Sequence, residues 1–161
     1  ELAHHFSRGE KLCVMLGDNI IEKNIARAAE DFRNQERGAK ILLKEVADPE
    51  RFGVPEIDGD RILSIEEKPT TPKSNYAVTG LYFYDNDVLD IAANVTPSAR
   101  GELEITDVNN RYAEWGTLRH HVVDGWWTDA GTIPSLYHAT QLVAAAEDAS
   151  VLRMPEVGAS P

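Results

Sequence analysis

Two aspartates sit where a chain could offer them to one ligand. Asp18 follows the apolar run Leu12-Cys13-Val14-Met15-Leu16 in "KLCVMLGDN", and Asp129 follows "WWT" in "WWTDAGT". Carboxylates at two separate strand ends are what Mg²⁺ needs when it is shared with substrate phosphates. The ion takes hard oxygen donors, usually one or two carboxylates, and leaves positions for water and phosphate. Lys68, which closes "EEK" after Glu66 and Glu67, and Arg100 in "ARGE" are complementary parts. One is a point charge and the other a planar fork for a phosphate. Each feature also has a plainer reading. An Asp after a strand serves equally as a turn or cap residue. "EEK" can be a solvated strand end, Arg100 a surface loop residue, and Trp126 and Trp127 core aromatics. The pairs His4-His5 and His120-His121 lack metal-ligand spacing, and alternation along a strand would point their rings apart. No Ser/His/Asp set, nucleophilic cysteine context or phosphate-cradling glycine loop is evident.

The elements that would position these groups alternate in type. Leu12–Leu16 reads as a fully buried strand. Ile21, Ile25, Ala28, Ala29 and Phe32 recur at helical spacing, with Gly38 placed to end that helix. "AKILLKEV" follows as a second buried strand, which gives a crossover pattern. Residues 54–68 read as a β-hairpin turned by Asp58-Gly59 in a type I′ turn, and Tyr76–Asp85 as a strand rich in aromatic and β-branched residues. Short helices are expected over Asn86–Val95 and from Ile105 to Trp115, the latter closed by Gly116. Short strands follow in "TLRHHVV" and "WWTD". Thr132 then caps a last helix, with Pro134 in its first turn. The expected fold is α/β, a Rossmann-like, mostly parallel sheet with an added hairpin. One domain over residues 1–148 and a tail over 149–161 are expected.

Composition narrows the partners. A net charge of −11 over 161 residues argues against nucleic acid and anionic membrane, both of which select basic faces. It also means that a phosphate-bearing ligand needs a metal ion or a few placed cations. One cysteine, Cys13, excludes an internal disulfide and points to the reducing cytoplasm. No apolar stretch approaches membrane-spanning length, and the start does not read as a signal peptide.

Taken in order, "LGDN", "FGV", "EEKP", "PKSNYAVTGLYFYD", "RGELEITDVN" and "WWTDAGT" resemble the glucose-1-phosphate thymidylyltransferases of the sugar-phosphate nucleotidyltransferase family. The resemblance covers about Leu12 to Val143. It implies an enzyme that joins a nucleoside triphosphate to a sugar 1-phosphate and releases pyrophosphate, feeding deoxysugar or rhamnose synthesis. By resemblance, Asp18 and Asp129 hold the Mg²⁺ and Asn19 lines the same pocket. Gly53 and Val78 offer backbone to the sugar, and Glu67 accepts from its hydroxyls. Lys68 and Arg100 meet the sugar's phosphate, and Trp127 stands at the sugar's outer edge. The family's opening segment, G-x-G-T-R-L-x-P, has no counterpart here. At about 30 residues per βαβ unit, roughly two to three units that precede "LGDN" in the family are missing. The expectation is therefore an N-terminally truncated portion that self-associates. Two alternatives are a non-catalytic remnant that only binds sugar phosphate or assembles with itself or a partner, and the same chemistry with UTP in place of dTTP. A Mg²⁺-dependent glycosyltransferase is disfavoured, because neither "GDN" nor "TDAG" supplies a D-x-D triplet.

Overall fold

The computed structural model describes residues 2–98 and 101–151. Its main sheet has six strands in the order β1-β6-β3-β7-β5-β4. These are β1 (Leu12–Met15), β3 (Ala39–Glu45), β4 (Gly53–Asp58), β5 (Arg61–Glu67), β6 (Tyr76–Tyr84) and β7 (Leu118–Val122). A separate ribbon pairs β2 (Asn19–Ile21) antiparallel with β8 (Trp127–Asp129). The helices are α1 (Leu2–Ser7), α2 (Ala26–Asn34), α3 (Val88–Ala93), α4 (Ile105–Glu114) and α5 (Ile133–Val151).

The α/β class holds, but the neighbour relations differ from a simple parallel sheet. β1 and β3 both run antiparallel to β6, which lies between them. The crossover through α2 therefore skips a strand, and β3–β7 is the one parallel neighbour pair among the described strands. Four strands, β1, β3, β7 and β4, still share a direction.

Alternation along β6 and β3 builds a core on each face of the sheet. Tyr82 and Tyr84 of β6 and Ile41 and Leu43 of β3 pack with Val108 and Tyr112 of α4. Leu81 and Phe83 of β6 and Leu42 of β3 face Ala28 and Phe32 of α2. Tyr84 stacks at 5.8 Å on Tyr112, and Phe83 at 5.5 Å on Phe32. Each fully buried large side chain contributes about 1.5–3 kcal/mol, so these two layers hold the sheet that carries the site.

Several sequence expectations need correction. β1 is an edge strand paired with β6 and is largely exposed, with Val14 at 36% and Met15 at 51%. Ile21 belongs to β2 and not to the helix. The last carbonyls of α2 are capped by Lys11 Nζ, which Phe32 O and Arg33 O accept at 3.1 and 3.0 Å. Gly38 instead leads into β3, at a place where a Cβ would collide with Thr117 O. The hairpin loop is Gly59-Asp60, and Gly59 alone has positive φ. Type I′ needs positive φ at both central residues. The register shift between Glu56 and Ile57 brings Asp58 opposite Arg61 and so closes the loop at these two residues. The cap of α5 forms as expected: Thr132 Oγ1 accepts Ser135 N–H at 3.3 Å, and Ser135 Oγ accepts Thr132 N–H at 3.0 Å. Helix α5 runs past residue 148, and residues 152–161 lie outside the described part. No helix among the described residues is long and apolar enough to cross a membrane.

Candidate active site

The two aspartates reach one place because their loops are tied together. Asn19 and Asp129 are direct partners in the β2–β8 ribbon, and Asp18 O accepts Ala130 N–H at 2.7 Å. Gly131 lies between the carboxylates. A Cβ placed there would stand 2.9 Å from Asp129 Oδ1 and 3.2 Å from Asp18 Oδ2. Asp129 Oδ1 also accepts Gly131 N–H at 2.6 Å, so the turn reading holds for that oxygen as well. Asn19 is 7% exposed and organises the floor. Its Oδ1 accepts Gly80 N–H at 2.8 Å and Trp127 Nε1–H at 2.7 Å, while its Nδ2 donates to Asp18 Oδ1 at 2.9 Å.

The hairpin supplies the opposite wall. It meets β7 only at Arg61–Arg119, and its far end lies over β6, where a Cβ on Gly53 would stand 3.7 Å from Val78 Cβ. That same Cβ would be 3.2 Å from Glu67 Oε2. Glu67 Oε2 also accepts the Thr106 hydroxyl of α4 at 3.0 Å. Lys68 holds a left-handed backbone, φ +49°, with its N–H donated to Phe52 O at 2.9 Å. A non-glycine residue there is strained, and such strain collects at functional sites.

Asp18, Asn19, Gly53, Glu67, Lys68, Val78, Trp127 and Asp129 thus line one cavity of about 260 Å³. Arg100 lies outside the described residues. Sequence reasoning missed Leu16, Arg51, Phe52, Gly80, Tyr82, Ile105 and Thr106, which line the same cavity. Gly80 carried a usable signal, since a glycine inside an apolar strand marks a close approach. Burial first, then the Glu67 and Asp18 carboxylates, push the Tyr82 hydroxyl well above its ordinary range, so it stays protonated. Arg51 is held charged by Asp48, its partner at 2.7 Å, with a smaller contribution from Asp129.

The donor set fits Mg²⁺. No group of three or more His, Cys, Asp or Glu that could hold a metal occurs among the described residues. Two carboxylates converging over a glycine are nevertheless what an ion completed by phosphate and water requires. A larger cavity of about 610 Å³ lies between α3 and α4, and its Arg111 is engaged with Glu114 at 2.8 Å.

The α/β sheet thus brings an acidic pair and a cation to one cavity of about 260 Å³. The family model described as nucleotidyl transferase matches residues 1–146. The chain belongs to that family. It is 43% identical over 146 residues to the glucose-1-phosphate thymidylyltransferase of Neisseria meningitidis, covering 88% of this chain and 51% of the relative. To the enzyme of that name from Mycobacterium tuberculosis it is 44% identical over 149 residues, covering 90% and 51%. A Bacillus anthracis structure solved with sucrose and described by the same activity superposes with TM-score 0.81 and 52% identity. That match covers 88% of this chain and 57% of the other. A UDP-glucose pyrophosphorylase complexed with UDP-glucose shares the fold, with TM-score 0.77 at 21% identity over 89% of this chain and 59% of the other. The chain spans about half the length of the curated relatives it matches.

Proposed function

We propose that this chain carries the sugar-phosphate and metal half of a glucose-1-phosphate thymidylyltransferase, which joins dTTP to glucose 1-phosphate and releases pyrophosphate. The convergence of Asp18 and Asp129 over Gly131, in one cavity with Glu67 and Lys68, carries the reading. Asp18 and Asp129 hold Mg²⁺, which when bound neutralises triphosphate charge and polarises the α-phosphoryl group. Lys68, with Arg100 assigned by resemblance, holds the sugar's phosphate against a field of −11. Glu67, fixed by Thr106, accepts from sugar hydroxyls, and the backbone at Gly53 and Val78 meets the ring. Asn19 keeps Asp18 and Trp127 in register. In-line displacement needs no covalent enzyme intermediate, so these groups act by positioning and charge neutralisation.

Pyrophosphate release from dTTP, glucose 1-phosphate and Mg²⁺ tests the reading in the intact protein that contains this chain, with UTP as a second arm. Asp129→Asn is expected to lower turnover by roughly 10²-fold or more, as removal of charge-stabilising groups does, and to leave the unfolding transition in place. Full activity in that variant would remove the metal assignment. A second reading is sugar-phosphate binding by this chain without turnover, because Gly53, Glu67, Lys68, Val78 and Trp127, all matched to the sugar or its phosphate, line the one cavity. Calorimetric titration of glucose 1-phosphate into the 161-residue chain reads that directly.

A further inference from the structure

A second chamber adjoins the candidate sugar cavity. It measures about 370 Å³ and shares Arg51, Phe52, Trp127 and Asp129 with the first. Phe52 and Trp127 meet edge to face at 5.3 Å, and they form the partition. Phe52 is fixed from several sides. Its N–H donates to Pro49 O at 3.0 Å, and its carbonyl takes the Lys68 N–H. The Arg51 guanidinium lies 5.3 Å from its ring, and Asp48 pairs with that guanidinium.

Beyond the partition, Thr132, Ser135 and His138 of the α5 start join Asp48 in the wall. The Thr132 and Ser135 hydroxyls bond each other and Asp48 pairs with Arg51, but their oxygens keep accepting capacity. Such a polar wall suits a hydroxyl-rich ligand better than an acyl or aryl group, which would desolvate it without return. The chamber falls within the roughly 300–1,000 Å³ of small-molecule pockets.

We infer that Phe52, held by the Asp48–Arg51 pair, sets the size limit on the sugar, and that the chamber behind it is a second saccharide subsite. With the partition reduced, a disaccharide 1-phosphate spans both spaces. This rests on the sugar-phosphate reading above. Phe52 acts as a specificity-determining wall, and Asp48 and Arg51 act through it as positioning residues.

The test titrates glucose 1-phosphate and maltose 1-phosphate into the chain by calorimetry. The wild type is expected to favour the monosaccharide. Phe52→Ala and the milder Phe52→Leu are expected to shift the ratio of the two affinities toward the disaccharide by about tenfold, the scale of small steric changes in a pocket. Asp48→Asn shifts it less, in the same direction. Adding His138→Trp to Phe52→Ala refills the chamber and reverses the gain. An unchanged ratio in both Phe52 variants overturns the inference, as does a gain that survives His138→Trp. Loss of both sugars in both Phe52 variants with unfolding unchanged also overturns it, because Phe52 would then serve binding and not size. A wild-type chain that binds neither compound removes the sugar-phosphate reading, and this inference with it.

Discussion

Trp127 and Asn19 are joined by a hydrogen bond of 2.7 Å from the indole Nε1–H to the side-chain oxygen. The same oxygen takes the Gly80 N–H of β6, and the Asn19 amide nitrogen donates to Asp18. One buried side chain therefore couples the aromatic wall, the acidic pair and the central sheet.

Asn19→Ala tests that coupling. It strands the buried Gly80 N–H, at about 1–3 kcal/mol, and releases the half-buried Trp127 indole N–H, which adds less. Stability is expected to fall by about 2–4 kcal/mol in urea unfolding, with a red shift of tryptophan emission as the indole is released. A loss under about 1 kcal/mol would mean that water takes over the role of Asn19.

Gly131→Ala separates ligand binding from folding. A Cβ there comes within 2.9 Å of Asp129 Oδ1 and 3.2 Å of Asp18 Oδ2, so the carboxylates must part. Mn²⁺ affinity, read by paramagnetic relaxation of water, is expected to drop by about tenfold or more, as disturbance of a metal's supporting groups does. The thermal midpoint is expected to hold. Unchanged Mn²⁺ binding would remove the acidic pair as the metal site.

Much of this site was legible because its residues close or follow strands. Asp18, Glu67, Lys68 and Asp129 each sit at an abrupt switch from apolar or extended sequence to polar loop. What stayed hidden depends on contacts between distant segments. Tyr82 reads as one more strand aromatic, and only the sheet's alternation and the hairpin's crossing place it beside Glu67 and Asp18. Phe52 reads as a loop residue until Trp127 is seen against it. The apolarity of Leu12–Met15 suggested a central strand, whereas the described strand is bonded on one side only. Apolar character reports what a segment can bury, not how many neighbours it has.

His120 gives the fold a pH dependence. Burial lowers its pKa below the ordinary 6.5; His121 adds to this, and Asp60 opposes it through its charge and backbone. His120 Nδ1 is buried with no hydrogen-bond partner, so a proton there finds no acceptor. The folded state holds the neutral ring, and the unfolded chain takes up the proton first as pH falls below 6.5. The associated stability is fully present above that value and is lost as pH falls toward the lower folded pKa. The thermal midpoint of the wild type is expected to decline more steeply between about pH 7 and 5 than that of His120→Gln. Parallel curves for the two proteins would count against a role for His120.

The edge formed by β1 offers the 161-residue chain a surface for association. Val14, Met15 and Leu16 are 36%, 51% and 46% exposed, and β6 takes one side of the strand's backbone. An apolar strand with an unpaired side recruits another strand, and a lysine on such an edge blocks it. The chain is therefore expected to self-associate, with a weight-average mass by light scattering that rises with concentration. Val14→Lys is expected to shift it toward the monomer while keeping the far-ultraviolet circular dichroism. Val14 pairs with Tyr82 of β6, so the substitution changes the strand's character without removing a ladder bond. Association that persists unchanged in Val14→Lys would move the interface elsewhere. The exposed α5 side chains Ile133, Leu136 and Tyr137 would then be the next surface to charge. A monodisperse monomer of the wild type at high concentration would remove the edge-pairing idea altogether.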